Sequence, residues 1–358
     1  MDIYVLNQNF EEIGVIDDYE SVIWTPRYWE CGDFEIKLPA GSQNIALLEK
    51  DNYLKRYDDE NVMIIEAINI LTDIENGNYI LVRGRCLKSI LDRRVIWKLQ
   101  KYSGTPEACI RSILTRNIIN PSDAVRKISN FVLGPAQGFS GSIEAQYTGD
   151  NVLDVVIEIC KAFGLGFKVL LKNKQFIFVL YSGTDRSYKQ TENLPVIFSP
   201  DNENIINTKY LEDKQFYKNV ALIGGEGEGT ARTYNTTGSA QGLNRRELWV
   251  DANDVRKEVE DESGNKVTLT TSQYNAALKQ RGAEKLTEVA ITQTFEGSVD
   301  TEVLFKYKED FFLGDIITAV NEYGFKAAPR ITEVIESEDA GGYSVIPTFD
   351  GWEQEVEE

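Results

Sequence analysis

The residue types that most often do chemistry in proteins are scarce in this chain. No histidine occurs among its 358 residues, which excludes a Ser-His-Asp triad, a Cys-His nucleophile, an imidazole zinc ligand and an imidazole pH switch. Its four cysteines, Cys31, Cys86, Cys109 and Cys160, lie tens of residues apart and form no CxxC motif. This spacing favours four reduced thiols packed as small apolar residues over a zinc cluster or a redox pair.

A glycine cluster at residues 224–229 is the obvious candidate for an anion site, because glycines let backbone N–H groups approach a phosphate closely. Its sequence is GGEGEG, and neither a Lys-Ser or Lys-Thr pair nor a strand-to-helix context accompanies it. Two glutamates inside the loop would repel a phosphate. We therefore predict an acidic, mobile surface loop rather than a phosphate cradle.

The acidic residues are numerous, but their arrangement identifies no site. The runs Asp58-Asp59-Glu60 and Glu258 to Glu262 lack the alternating ligands and closing glutamate of an EF-hand loop, so solvated charge is expected for both. A glycosidase needs only two acids at the right separation, and among 57 acids any pairing is uninformative. The sequence thus names no catalytic, cofactor-binding or metal-ligating residue.

Three aromatic residues, Trp24, Tyr28 and Trp29, could in principle stack on sugars or bases. Their neighbours have the pattern of strand and turn. Packing in the core or in an interface is therefore favoured over a binding platform.

Charge and composition place the chain among globular proteins. It has 38 Lys and Arg against 57 Asp and Glu, a net charge of −19, and 42% hydrophobic residues. Such a charge disfavours binding to nucleic acid or to an anionic membrane. The start, MDIYVLNQNFEEIG, has no signal-peptide pattern, and no run approaches the ~20 apolar residues of a membrane span. We expect a soluble protein made in a bacterial-type cytoplasm, without classical export.

Period-two hydrophobic alternation dominates the first hundred residues and predicts an antiparallel barrel or sandwich. The expected strands are Ile3–Leu6, Ser21–Trp24, Phe34–Leu38, Val62–Ile70 and Tyr79–Arg85. Phe34, Ile36 and Leu38 should share the buried face. Asn76-Gly77 is the best hairpin signal.

The period changes to that of helices at Tyr102. Thr105-Pro106-Glu107 offers an N-cap followed by a proline at the first helical position, and a second helix is expected from about Asp150 to a stop at Gly164. Residues 165–181 predict two strands joined through Lys172-Asn173-Lys174. A third helix is expected at 272–289, where Thr270 and Gln273 form a possible capping box.

These patterns predict an α+β fold that is mainly β, with a β-barrel-like domain at each end of the chain and α+β domains between. The predicted divisions are 1–101 (β-barrel-like), 102–182 (α+β), 183–290 (mixed, β-rich), 291–352 (second β-barrel-like domain) and 353–358 (acidic tail). A short internal repeat links the two ends, because Ile65-Glu66-Ala67-Ile68 resembles Thr332-Glu333-Val334-Ile335 and each precedes a glycine turn and a second apolar run.

Three segments resemble one family: SVIWTPRYWECGDFEIKLPA at 21–40, VMIIEAINILTDIENGNYILVRGRCLKSILDRRVI at 62–96, and FFLGDIITAVNEYGFKAAPRITEVIES at 311–337. The first two together are similar to the amino-terminal hub domain of siphophage tail-tip proteins, the baseplate hubs and tail-associated proteins that include the amino-terminal parts of tail lysins. The third, followed by Tyr343 to Gly351, is similar to the last β domain of that family. Residues 183–270 match only in general character.

The resemblance implies a structural, non-enzymatic role as a homotrimeric ring at a phage or prophage tail tip, similar to the central hub of T-even baseplates. Two tube domains per subunit would give a pseudo-sixfold ring that joins a sixfold tail tube to a threefold tip and lines the channel for DNA exit. The implied partners are the distal tail protein, the tail tube and the tape-measure protein, with receptor-binding or fibre proteins also possible. The implied location is the virion tail tip, after assembly in the bacterial cytoplasm. No cofactor, specific nucleic-acid binding or stable membrane insertion is expected.

Two other readings stay open. One is a tail-associated hydrolase or binding module directed at glycan or peptidoglycan, which would need an acid pair or an aromatic platform in a cleft. The other is a host-encoded β-rich binding protein unrelated to phage.

Overall fold

A computed structural model describes residues 1–73, 77–260, 266–299, 304–324 and 326–350. Asn76 of the predicted hairpin turn and the predicted acidic tail 353–358 lie outside these residues. The chain divides into two compact units. The first combines Met1–Ser89, Gly166–Leu211 and the chain from Gln293 onward, and the second combines Ile90–Leu165 and Glu212–Thr292.

The elements of the first half of the chain follow in order. The initial segment contains β1 Ile3–Leu6, β2 Glu12–Ile16, β3 Ser21–Thr25, β4 Asp33–Pro39, α1 Ser42–Leu47, β5 Tyr53–Lys55, β6 Val62–Asp73 and β7 Gly77–Cys86. The next contains β8 Gln100–Gly104, α2 Pro106–Leu114, β9 Phe131–Leu133, β10 Ile143–Tyr147 and α3 Val152–Ala162. The segment after it contains β11 Gly166–Lys172, β12 Gln175–Tyr181, β13 Ile197–Phe198 and β14 Ile205–Asp213.

In the second half of the chain, the elements belong first to the second unit and then to the first unit. The penultimate segment contains β15 Val220–Gly224, β16 Tyr234–Thr237, β17 Glu247–Asp251, β18 Glu258–Glu260, β19 Lys266–Thr268 and α4 Thr271–Glu288. The last contains β20 Thr292–Val299, β21 Thr318–Val320, β22 Lys326–Ala327, β23 Arg330–Asp339 and β24 Gly342–Asp350. The fold is thus mainly β with α+β content, as the sequence predicts.

One 11-stranded sheet dominates the first unit, in the order β14-β20-β24-β23-β3-β4-β7-β6-β5-β1-β2. The order is linear, and among the described residues no pairing joins β14 to β2, so closed barrels at the chain ends are not observed. Its core face includes Phe34, Ile36 and Leu38, which are at most 3% exposed, as the alternation predicts. Burial of each such side chain stabilises the fold by about 1.5–3 kcal/mol.

The two segments of the predicted repeat form the two long hairpins of this sheet, β6–β7 and β23–β24. Each hairpin has a bulge in its first strand, at Glu66 in β6 and at Thr332 in β23. The first bulge requires glycine at position 84, because a Cβ there would lie 1.8 Å from the Ile64 carbonyl oxygen. Gly84 lies within the segment 62–96 that carries part of the family resemblance.

The three helices predicted from local signals lie in the second unit. Thr105 Oγ1 accepts the Ala108 N–H at 3.2 Å to cap α2, and Thr270 with Gln273 forms the expected capping box of α4. Gly164 follows α3 with φ of 64°, a left-handed conformation that favours glycine. Within the described part of the chain, none of the helices combines the length and apolarity needed to cross a bilayer.

Candidate functional site

The most distinctive feature of the first unit is the junction between the two ends of the chain. Strand β3 pairs antiparallel with β23, so that Ser21 lies opposite Asp339 and Trp24 lies opposite Glu336. A further bridge joins Arg27 to Glu333. We call this junction, formed by β3, β23 and residues 26–32, the seam.

A buried group of charges lies beside the seam. Arg56 Nη2 donates to Glu336 Oε2 at 3.0 Å, and both side chains are 1% exposed. Lys308 Nζ lies 3.0 Å from Glu336 Oε1 and 2.9 Å from Asp59 Oδ2. With Asp58, whose carboxylate also accepts from Arg56, these residues form the charge cluster. The buried charges are stable because each one has an opposite charge within hydrogen-bonding distance.

The charge cluster fixes the ionisation of its members. Burial alone would lower the pKa of Arg56, but the hydrogen bond to Asp58 and the charge of Glu336 outweigh it and hold that pKa above its usual value. Burial alone would raise the pKa of Asp58, yet the hydrogen bond from Arg56 leaves it below the usual range. Arg56 and Asp58 therefore stay ion-paired at neutral pH.

Lys308 has an unusual backbone conformation, and two aromatic residues also contact the charge cluster. Lys308 has φ of 68°, a left-handed conformation that is uncommon for lysine. Its ion pairs offset the cost of that backbone. Tyr343 donates its hydroxyl to Glu336 Oε2 at 2.8 Å, and the Arg56 guanidinium lies 5.5 Å from the centre of the Trp24 ring.

The two ends of the seam carry further ion pairs. At one end Arg27 contacts Glu333 and also donates to Asp33 Oδ2 at 2.7 Å. At the other end the amino group of Met1 contacts Glu338, which lowers the pKa of that carboxyl. Three glutamates of β23, including Glu336, therefore each take a cation from the amino-terminal segment.

A buried lysine holds the segment that connects β3 to β4. Lys88 is 3% exposed, and its ammonium donates to the carbonyl oxygens of Arg27, Tyr28 and Glu30 at 2.7, 3.0 and 3.0 Å. The Tyr28 N–H in turn donates to the Thr332 carbonyl oxygen at 2.8 Å. Residues 26–32 are thus held by the Lys88 side chain and by the backbone of β23 at Thr332.

The second unit has its own buried acid group. Glu284 on α4 is 2% exposed and accepts the Tyr147 hydroxyl at 2.7 Å. Burial raises the pKa of Glu284. Burial and the charge of Glu284 also raise the pKa of Glu158 to about 7, although Lys285 lies 3.5 Å from it. This pair makes the second unit sensitive to pH near neutrality.

The glycine cluster is fastened by protein contacts. The Gly225 N–H donates to the Thr233 carbonyl oxygen at 2.8 Å, and the Glu226 N–H donates to the Tyr274 hydroxyl at 2.6 Å. A Cβ at position 225 would lie 2.4 Å from that hydroxyl. These two backbone donors are used within the fold, and the absence of a side chain at Gly225 serves close packing against Tyr274.

Within the acidic run at 58–60, Asp59 departs from the expectation of solvated charge, whereas Asp58 and Glu60 are exposed as expected. Asp59 is 7% exposed and is bound by Lys308 and by the Asn61 N–H at 2.7 Å. The Glu258–Glu262 run falls partly outside the described residues. Among the residues that are described, no three His, Cys, Asp or Glu side chains come together as a metal site.

Two of the aromatic candidates are core residues. Trp24 and Tyr28 are both 0% exposed, in line with the packing interpretation. The four cysteines are free thiols, as their spacing favours, and the fold brings Cys31 within 3.8 Å of Cys86. Sequence spacing could not reveal this, since the two residues meet only through the pairing of β4 with β7.

Solved structures share this fold over nearly the whole chain. The prophage tail protein gp18 from Listeria monocytogenes EGD-e has a TM-score of 0.55 at 12% identity, over 98% of this chain and 94% of that chain. A tail protein from Neisseria meningitidis MC58 gives 0.57 at 12% identity, over 98% and 96%. The 43 kDa tail protein of prophage MuSo2 from Shewanella oneidensis gives 0.58 at 11% identity, over 98% of both. At such identities the likeness concerns the fold.

The sequence itself matches one protein family. The model of the Siphovirus ReqiPepy6 Gp37-like protein family covers residues 2–349. No curated protein matches the sequence. Because the family match spans almost the whole chain, the chain belongs to this family, which confirms the siphophage resemblance drawn from its end segments.

Proposed function

We propose that this member of the Siphovirus ReqiPepy6 Gp37-like family is a structural subunit of a phage or prophage tail tip. In this proposal three copies form a baseplate hub that joins a sixfold tail tube to a threefold tip and lines the channel for DNA exit. The role needs no catalytic residue. It needs a rigid subunit with surfaces that assemble.

The observation that carries the proposal is the single sheet built from both ends of the chain. Strands from residues 1–89 and from residues 292–350 form one continuous surface through the seam. Sheet portions from the two ends would supply the two tube domains of each subunit. A rigid seam would keep these portions in fixed register when copies assemble.

The two edges of this sheet support assembly into a ring. Among the described strands, β2 and β14 pair within the sheet on one side only. Ile13 and Val15 on β2 are 45% and 39% exposed, and Leu211 on β14 is 42% exposed. An open edge with exposed apolar side chains is an aggregation hazard that a closed ring removes.

The net charge fits a channel for DNA. A chain with net charge −19 repels a passing polyanion, and an acidic channel wall would keep DNA from adhering. The proposed partners are the distal tail protein, the tail tube and the tape-measure protein, with fibre proteins on the threefold face. Assembly would take place in the bacterial cytoplasm and the product would reside in the virion tail tip.

The glycan-directed alternative gains no support from the cleft beside the charge cluster. One cleft of about 330 Å³ is lined by Asp58, Asp59 and Glu60 together with Lys168 and Lys308. Each of these acids is ion-paired, to Arg56, Lys308 and Lys168 respectively. Carboxylates neutralised in this way are poor candidates for an acid pair of a glycosidase.

The proposal is tested by sedimentation velocity from micromolar to near-millimolar concentration. We expect a monomer at low concentration that converts to a trimer as concentration rises. Val15→Lys, which adds a charge to the edge strand β2, should shift this conversion to at least tenfold higher concentration. Ile23→Lys is the matched control, because Ile23 is 39% exposed, as Val15 is, and lies on β3, where it pairs with Ser337 on one side and with Glu35 on the other.

Two results would argue against the hub. A stable dimer at every concentration contradicts a ring of three. Equal effects of Val15→Lys and Ile23→Lys would show that β2 is not part of the assembling surface.

A further inference from the structure

The first unit contains a pair of thiols contributed by distant parts of the sequence. Cys31 directly precedes Gly32 and β4, whereas Cys86 is the last residue of β7. Their Sγ atoms are 3.8 Å apart. Cys86 is 4% exposed, and Cys31 is partly exposed to solvent.

Backbone hydrogen bonds fix the two cysteines in place. The Cys86 N–H donates to the Gly32 carbonyl oxygen at 2.8 Å, and the Gly32 N–H donates to Cys86 Sγ at 3.2 Å. A disulfide needs its sulfurs about 2.05 Å apart. Side-chain rotation therefore has to supply a little under 2 Å, while the strands can stay in register.

The surroundings also activate the pair. The pKa of Cys86 is lowered to about 6, chiefly by the hydrogen bond from the Cys31 thiol, with help from the Lys88 ammonium and the Gly32 N–H and against the effect of burial. The same hydrogen bond and burial raise the pKa of Cys31. Of the two sulfurs, Cys86 is therefore the one that loses its proton more readily, and a thiolate is the reactive form.

We propose that Cys31 and Cys86 are a disulfide-forming modification site that is oxidised by a low-molecular-weight disulfide. Cys86 accepts the proton of Cys31 across the 3.8 Å between their sulfurs, and the Cys31 thiolate formed in this way attacks one sulfur of the oxidant and expels the first small thiolate. Cys86 then passes that proton to the expelled thiolate, attacks Cys31 Sγ and expels the second small thiolate. Two protein thiols and one disulfide become one protein disulfide and two small thiols, so protons and electrons balance.

The bond would tie the segment at residues 26–32 to the end of β7. That segment contains Arg27 and Tyr28, which contact Glu333 and Thr332 across the seam. Oxidation would therefore reinforce the seam. Its timing rests on the proposed function: the thiols stay reduced in the cytoplasm and are oxidised once a released particle meets an oxidising medium.

The experiment treats the full chain with oxidised glutathione and counts thiols in denaturant with Ellman's reagent. We expect four thiols before treatment and two after, with peptide mass mapping that links Cys31 to Cys86 and a melting temperature several degrees higher. Cys86→Ser should instead trap one glutathione on Cys31. The double variant Cys109→Ser/Cys160→Ser is the control, and it should lose both of its remaining thiols.

Four thiols that persist under excess oxidised glutathione, or a linkage through Cys109 or Cys160, would overturn the proposal. The measurement uses the isolated subunit in a reducing or an oxidising buffer. It therefore succeeds or fails independently of the trimer test.

Discussion

Arg56 and Glu336 form a buried ion pair across 280 residues of sequence, with Nη2 and Oε2 3.0 Å apart and both side chains 1% exposed. The pair joins a residue that follows β5 to a residue of β23. It lies beside the strand pairing that makes one sheet of the two chain ends. The predictions below concern this seam, the second unit and the assembly.

Glu336→Gln should destabilise the protein strongly. The substitution leaves Arg56 and Lys308 without their shared counter-charge in a buried position, which costs about 3–5 kcal/mol in comparable buried pairs. The measurement is the free energy of unfolding in urea. Glu35→Gln is the control, since Glu35 pairs with Arg83 on the surface, and it should cost about 0.5 kcal/mol or less. A loss below 1 kcal/mol for Glu336→Gln would show that the pair does not hold the seam.

The seam should weaken in acid. Asp58 and Glu338 have pKa values below their usual range, and in the unfolded chain Asp and Glu titrate near about 3.9 and 4.3. The contribution of these two carboxylates to the free energy of unfolding is therefore complete above about pH 5. It is lost as the pH falls through their folded-state pKa values. At pH 6 the double variant Asp58→Asn/Glu338→Gln should unfold at a lower urea concentration than the parent protein. The difference between the two urea midpoints should become smaller by pH 3. A gap of constant size would contradict this assignment.

For Glu158 we expect the opposite dependence of stability on pH. Its pKa is raised to about 7 by burial and by the charge of Glu284, so ionisation costs stability as the pH rises from about 4.5 through 7. Glu158→Gln should match the parent near pH 4.5 and exceed its stability at pH 8 by on the order of 2 kcal/mol. Glu158→Asp keeps the charge and should show no gain. Equal gains for both variants would rule out relief of this charge as the cause.

Gly84→Ala tests the bulge of β6. The added methyl group would lie 1.8 Å from the Ile64 carbonyl oxygen and 2.9 Å from the Phe34 ring, so we expect a loss of about 3 kcal/mol or more. Gly41→Ala is the control, because no atom lies within 4 Å of its Cβ position. Melting temperatures compare the two. A normal melting temperature for Gly84→Ala would mean that the bulge relaxes freely.

Local signals in the sequence predicted much of the fold. The caps at Thr105 and Thr270 located α2 and α4, and alternation located β1, β3, β4, β6 and β7 to within a few residues. Strands β2 and β5 were missed. In β2 only Ile16 is buried, so the strand has no alternating buried apolar face, and β5 has only three residues.

The seam and the thiol pair could not be predicted in the same way. Arg56 and Glu336, like Cys31 and Cys86, meet only because of strand order, and no local spacing encodes that order. Asp59 was expected to be solvated because a run of acids usually is. Its burial depends on Lys308, 249 residues further along the chain.

Electron cryomicroscopy of the concentrated protein tests the central claim most directly, because it images the arrangement of copies rather than their mass alone. The account predicts closed rings of three subunits around a central channel, with the sheets of neighbouring copies meeting at β2 and β14. Particles with twofold symmetry, or open filaments in which copies never close into a ring, would contradict it.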